Sequence, residues 1–125
     1  MRALTADERS ALFLGAAKDA QPVPMVPRED VAKMSVGQLR PAADAGNPYA
    51  HRRLAELYER GEGVEVSLER ALFHHGVEAR LFEKAGDEPD AVMARTRRGS
   101  DARALAPETV VRVASEVMSW KPTTP

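Results

Sequence analysis

Residues 45–71 read AGNPYAHRRLAELYERGEGVEVSLERA, and this stretch decides the fold. Asn47 can accept hydrogen bonds from the free N–H groups that open a helix. Pro48 sits at the first helical position, where its missing N–H costs nothing. Ala50, Leu54, Leu57 and Tyr58 then recur at i, i+4, i+7 and i+8, which is one face of a helix. Ala50 is small, so a neighbouring helix can come close. Gly61 falls just past the last helical residue, where a left-handed cap is needed. Gly63 allows a second unusual backbone turn, and Val64 can pin the corner into the core. Ser67 caps the next helix, whose buried stripe is Leu68, Ala71, Leu72, His75, Ala79 and Phe82. Arg52, Glu56 and Glu59 lie opposite the apolar face of the first helix. The i,i+4 pair Glu56–Arg60 suits a solvated surface there.

Working outward, the neighbouring segments also read as helices. Upstream, Ser35 caps a helix running to about Ala45, and Pro27 starts a short one through Met34. Residues 21–34 therefore form a proline-rich linker, with Pro22, Pro24 and Pro27 interleaved by Val23, Met25 and Val26, followed by that short helix. The capping box Thr5-Ala6-Asp7-Glu8 predicts an N-terminal helix from Ala6 to about Lys18 within residues 1–20. Downstream, the second helix of the pair reaches Lys84 and ends at Gly86. Asp87 or Glu88 with Pro89 begins another, acidic at its start and basic near its end, which complements the helix dipole. Gly99-Ser100 is a place for it to break or bend. Pro107 opens the last helix, with Val110, Val113, Val117 and Trp120 on one face. Residues 35–125 then form one helical domain closed by C-terminal capping helices. No segment alternates like a strand. The expected class is all-α, with about six helices.

Bulk properties agree. A chain of 125 residues is one domain with a single core. Only six residues are aromatic, so the core rests on Ala, Leu, Val and Met, which suits packed helices. Net charge is −1, and no global field draws nucleic acid or acidic lipid. Without cysteine, disulfides, thiolate catalysis and Cys-ligated zinc are excluded. Asp7, Glu8 and Arg9 stand where a secretory signal would begin its apolar core, and no run is long enough to span a membrane. A cytoplasmic location is expected, including the cytoplasmic side of a membrane complex.

The quoted stretch resembles the Sel1-like repeat, a relative of the tetratricopeptide repeat. That family's pattern is roughly A-x-x-G-x-x-x-A-x-x-x-L-G-x-x-Y-x-x-G-x-G-V-x-x-x-x-x-x-A-x-x-W-Y. Gly46, Ala50, Leu54, Tyr58, Gly61, Gly63, Val64 and Ala71 match it. The paired glycines after Leu57-Tyr58, followed by Val64, are its specific part. Ala55 replaces a common Gly, and His74-His75 stand where an aromatic pair is usual. The match covers one repeat in full. Residues 38–46 resemble the tail of a preceding repeat, and residues 105–122 are similar to the helical ending that closes such arrays. The resemblance implies a short helix-turn-helix array that binds other proteins.

Four groups of residues carry alternative readings. His74 and Glu78, at i,i+4 on one helix, could reach a single ion with His51 from the helix before. The competing reading buries His75 among apolar neighbours and puts His74 on the surface, and no HEXXH spacing is present. Gly61-Glu62-Gly63 lacks the Lys-Ser/Thr pair of a phosphate loop and reads as a helix corner. Arg95, Arg97, Arg98 and Arg103 form a basic cluster that suits a phosphate backbone, an acidic protein surface or a solvated helix end. Residues 12–14 and Phe73 are either ordinary packing or an exposed docking patch.

The sequence thus points to a non-catalytic interaction module, an adaptor or accessory subunit of a larger assembly. Its partners are other protein subunits, with no nucleic acid and no cofactor. Arg52, Glu56 and Glu59 are the expected contact residues. The rivals are a metal-dependent enzyme using His51, His74 and Glu78, and nucleic-acid binding through the Arg95–Arg103 cluster.

Overall fold

The structure is a computed structural model that describes residues 28–123. These form six helices and no strand: α1 Arg28–Val31, α2 Val36–Asp44, α3 Pro48–Arg60, α4 Leu68–Ala85, α5 Glu88–Arg103 and α6 Pro107–Ser119. The all-helical class is as expected. The helix over residues 6–18, the proline-rich stretch and the apolar residues 12–14 lie outside the described residues.

Local chemistry sets the helix ends. Ser35 and Gln38 make a reciprocal capping box at α2. The Asn47 side chain accepts from the Tyr49 and Ala50 N–H groups at the start of α3. Ser67 accepts from Arg70 at α4, and Asp87 from Asp90 at α5. Gly61 ends α3 at φ 71°, and Gly63 follows at φ 73°. Both are left-handed, a region that costs other residues about 1–2 kcal/mol. The two glycines reverse the chain in a few residues, and the Ser67 N–H reaches back to the Tyr58 carbonyl at 3.0 Å. Val64 packs beneath the corner against both adjoining clusters. Gly99-Ser100 does not break α5, whose helix runs unbroken through both residues.

Helix α4 is the centre of the molecule. It packs against α3, α5 and α6, while α2 and α1 pack on α3. Small residues line the closest crossings. Ala55 and Ala71 meet between α3 and α4 beside Tyr58, and Ala79, Ala91 and Ala94 meet between α4 and α5 around Phe82. A cluster of Val31, Leu39, Ala43, Ala50, Leu54 and Leu57 joins α1, α2 and α3. On the far side Leu72 and Val77 of α4 meet Val113 and Val117 of α6, with Phe73 and Trp120 against them. The chain end then returns to α2, where the Thr123 N–H donates to the Asp44 carbonyl at 2.7 Å.

This packing corrects one expectation about a binding face. Arg52 is not on a solvated surface. It is 6% exposed, because α5 folds back beside α3 and covers that flank with Asp90 while α4 contributes Phe82 and Glu78. Glu56 is half-buried and pairs with Arg53 at 3.2 Å instead of Arg60. Glu59 is half-buried too, and it faces α4.

Candidate functional site

His74 and His75 are consecutive, so their side chains leave α4 about 100° apart. They enter two different environments.

His74 meets His51 of α3, Nδ1 to Nδ1, at 2.9 Å. The tautomers follow from the partners. His51 Nε2 lies 2.8 Å from the Ala43 carbonyl, which can only accept, so Nε2 carries the proton. His51 Nδ1 is then a lone pair, and His74 Nδ1 donates to it. Rings surround the pair. Trp120 meets His51 edge-on at 5.2 Å, Tyr58 stacks on His74 at 5.8 Å, and Phe73 meets it edge-on at 5.2 Å. Burial lowers the His51 pKa to about 4, against the pull of the Ala43 hydrogen bond. Burial, then the charges of His51, Arg70, His75 and Arg40, lower that of His74 to about 3. Both rings are neutral at pH 7. His74 is therefore tucked into a ring cluster, not on the surface.

His75 points into a carboxylate cluster between α3, α4 and α5. Its Nδ1 lies 2.9 Å from Glu78 Oε1. A carboxylate accepts, so Nδ1 donates, and Nε2 is turned to the other side of the ring. That Nε2 faces Glu59 Oε2 at 3.6 Å and Asp101 Oδ2 at 3.9 Å. His75 and Glu78 are fully buried, and Asp101 is 5% exposed. Among the described residues, neither His75 Nε2 nor Asp101 Oδ2 has a hydrogen-bond partner. Burial, with the Glu59 carboxylate beside it, pushes the Asp101 carboxyl up to about 7, and His75 draws it the other way.

Arg52 holds the cluster from behind. Its Nε donates to Glu78 Oε2 at 2.7 Å and its Nη2 to Asp90 Oδ1 at 3.2 Å. The guanidinium also lies over the rings of Tyr49 and Phe82, 5.5 and 5.4 Å from their centroids. Burial alone would lower its pKa. The two carboxylates more than reverse that and hold it above the ordinary value.

The rival ligand trio His51, His74 and Glu78 is thus not assembled. The two histidines bond to each other, and Glu78 is engaged by Arg52 and His75. A different trio, Glu59, His75 and Asp101, has one ligand atom from each residue within 4.8 Å of the others. The sequence reading passed over Asp101. A signal was present: Asp101 lies two turns beyond Ala94, which places it on the buried face of α5. The expected basic cluster is partly neutralised, since Arg95 bonds Glu83 and Glu88 at 2.9 and 2.6 Å.

No family model matches the chain, and neither a curated protein nor a solved structure does.

Proposed function

We propose that this chain is a non-catalytic helical interaction module, an adaptor or accessory subunit that docks on another protein. The α3–α4 hairpin is read as a Sel1-like unit, with α2 as the second helix of a preceding unit and α5–α6 as a divergent following one. Its left-handed glycines at Gly61 and Gly63, the Ser67–Tyr58 backbone bond and the Ala-lined crossings support that reading.

The outer face of α6 carries the proposal. Val111 and Met118 are 70% and 69% exposed. Ala114 and Ser115, also exposed, lie between them. Together they occupy i, i+3, i+4 and i+7, a stripe of apolar and small residues on the terminal helix. In a stacked array such a face is covered by the next helix pair. Its occupant is proposed to be an apolar helix of a partner protein. Arg112 and Glu116 flank the stripe as a rim, paired with each other and with Glu69. Arg52 is engaged in the interior and leaves the set of contact residues. No helix among the described residues is long and apolar enough to cross a membrane.

The test has two steps. The tagged chain is purified from its native cells after gentle solubilisation, and a stoichiometric partner is identified. That partner is then purified and its affinity measured against the wild type and Val111→Glu/Met118→Glu. Loss of more than tenfold with the helical spectrum unchanged supports the reading. An unchanged affinity, or self-association of the chain through this face, overturns it.

A further inference from the structure

We infer that Glu59, His75 and Asp101 form a binding site for a divalent transition-metal ion of the zinc class, joining α3, α4 and α5.

Geometry carries the inference. The three ligands come from three helices: the last turn of α3, the middle of α4 and the last turn of α5. Their donor atoms converge within 4.8 Å of one another. A tetrahedral ion with ligands 2.0–2.2 Å away holds them about 3.4 Å apart. His75 Nε2 is already 3.6 Å from Glu59 Oε2 and 3.9 Å from Asp101 Oδ2. Small side-chain rotations close the remainder.

The second argument is an unmet need. His75 Nε2 and Asp101 Oδ2 are buried without a partner among the described residues. A buried polar atom left this way has given up water and gained no bond in exchange. Nε2 lies between two carboxyl groups at 3.6 and 3.9 Å, too far for a hydrogen bond to either. A cation between them satisfies every one.

The support around the ligands is of the kind that metal-binding histidines have. Glu78 accepts from Nδ1, which fixes the tautomer and turns Nε2 toward the site. Arg52 holds Glu78, and Asp90 shares Arg52. Arg52 is thereby engaged on the opposite side of the imidazole and does not offset the charge of Glu59 and Asp101.

The ligand chemistry selects the ion. An imidazole nitrogen with two carboxylate oxygens suits zinc and its transition-metal neighbours, whereas magnesium and calcium take oxygen shells. Glu59 is 30% exposed at its side chain, so the site opens to solvent on the α3 side. Entry and a fourth, water ligand lie there.

The test uses the full chain, stripped with a chelator and titrated with zinc chloride by calorimetry. One zinc per chain at micromolar affinity or tighter is expected, with a rise in Tm. Cobalt in its place should give the intense visible bands of a tetrahedral site. Glu59→Gln keeps the side-chain shape at a half-buried position and should weaken binding more than about tenfold, the scale at which even outer-shell partners act. Asp101→Asn should do the same. The double variant His51→Gln/His74→Gln should bind as the wild type does. Absence of saturable binding overturns the proposal. So does binding that survives Glu59→Gln and Asp101→Asn but vanishes in the double variant.

Discussion

His74 and His75 share a helix, a residue type and a covalent bond, yet the fold treats them as different chemical groups. His74 is enclosed by His51, Tyr58 and Phe73 and is held neutral. His75 is enclosed by Glu59, Glu78 and Asp101, with Arg52 behind. The lesson is that burial alone does not set a histidine's role. On the ring side, burial and neighbouring positive charge both oppose a proton. On the carboxylate side, Nε2 faces two carboxyl groups, Glu59 and Asp101.

The largest expected effect comes from removing the cation behind the carboxylate side. Arg52→Met keeps most of the apolar stem beneath the guanidinium but leaves Glu78 with His75 as its remaining partner. Breaking a buried pair in this way costs about 3–5 kcal/mol. Urea unfolding of chelator-treated protein checks it. A loss below about 1 kcal/mol would show that the network is wet and behaves as a surface pair does.

The ring side is tested by acid. His51 titrates near 4 in the fold against an ordinary 6.5. The folded state therefore resists a proton that the unfolded chain accepts. This contribution is intact above pH 6.5 and is lost as the pH falls toward 4, by about 3 kcal/mol at pH 4 for one such group. Asp101 has the opposite sign. Its raised pKa of about 7 means the fold takes up a proton as the pH falls through 7, which adds stability. The two are separated by subtraction. His51→Gln offers one donor and one acceptor without titrating. The stability advantage of the wild type over His51→Gln should shrink by about 3 kcal/mol between pH 7 and pH 4. An advantage independent of pH would mean that His51 is not enclosed.

Much of the fold was legible because helix ends are local. Asn47, Pro48, Gly61, Ser67, Gly86 and Pro107 announce their positions by chemistry that needs no distant partner. The apolar stripes of α3, α4 and α6 follow from spacing alone. The polar interior was not legible for the opposite reason. Arg52 reads as solvated on α3 taken alone, and only the return of α5 buries it against Glu78 and Asp90. The rival metal reading fails in the same way, while the burial of His75 agrees with its place on the α4 stripe. The i,i+4 spacing of His74 and Glu78 puts them on one side of α4. Glu78, however, turns back to His75 at i,i+3, and His74 turns to α3.

The seam between α4 and α6 closes the ring side, and Gly76 sets how closely it closes. A Cβ there would lie 2.7 Å from Val117 Cγ2 and 3.3 Å from Cγ1. Val117 is buried and β-branched, so it cannot swing aside. Overpacking of this kind costs about 1–3 kcal/mol, while alanine regains about 1 kcal/mol of helix propensity over glycine. The net expectation for Gly76→Ala is a loss of about 1 kcal/mol. Trp120, the one tryptophan of the chain, sits edge-on to His51 at the end of the same helix, so its fluorescence should shift as α6 moves. A stability loss with unchanged emission would place the strain in α4 and leave the ring cluster intact.

The smallest effect belongs to the arginine that most resembles Arg52 on paper. Arg95 also binds two carboxylates, Glu83 at 2.9 Å and Glu88 at 2.6 Å. Those hydrogen bonds raise its pKa, as the partners of Arg52 do. The setting differs. Arg95 lies at the surface, no ring among the described residues encloses its guanidinium, and water can replace either partner when it is removed. Arg95→Ala should leave the urea midpoint and slope as they are in the wild type, measured beside Arg52→Met. Equal losses in the two variants would break the distinction between enclosed and solvated ion pairs on which the carboxylate site depends.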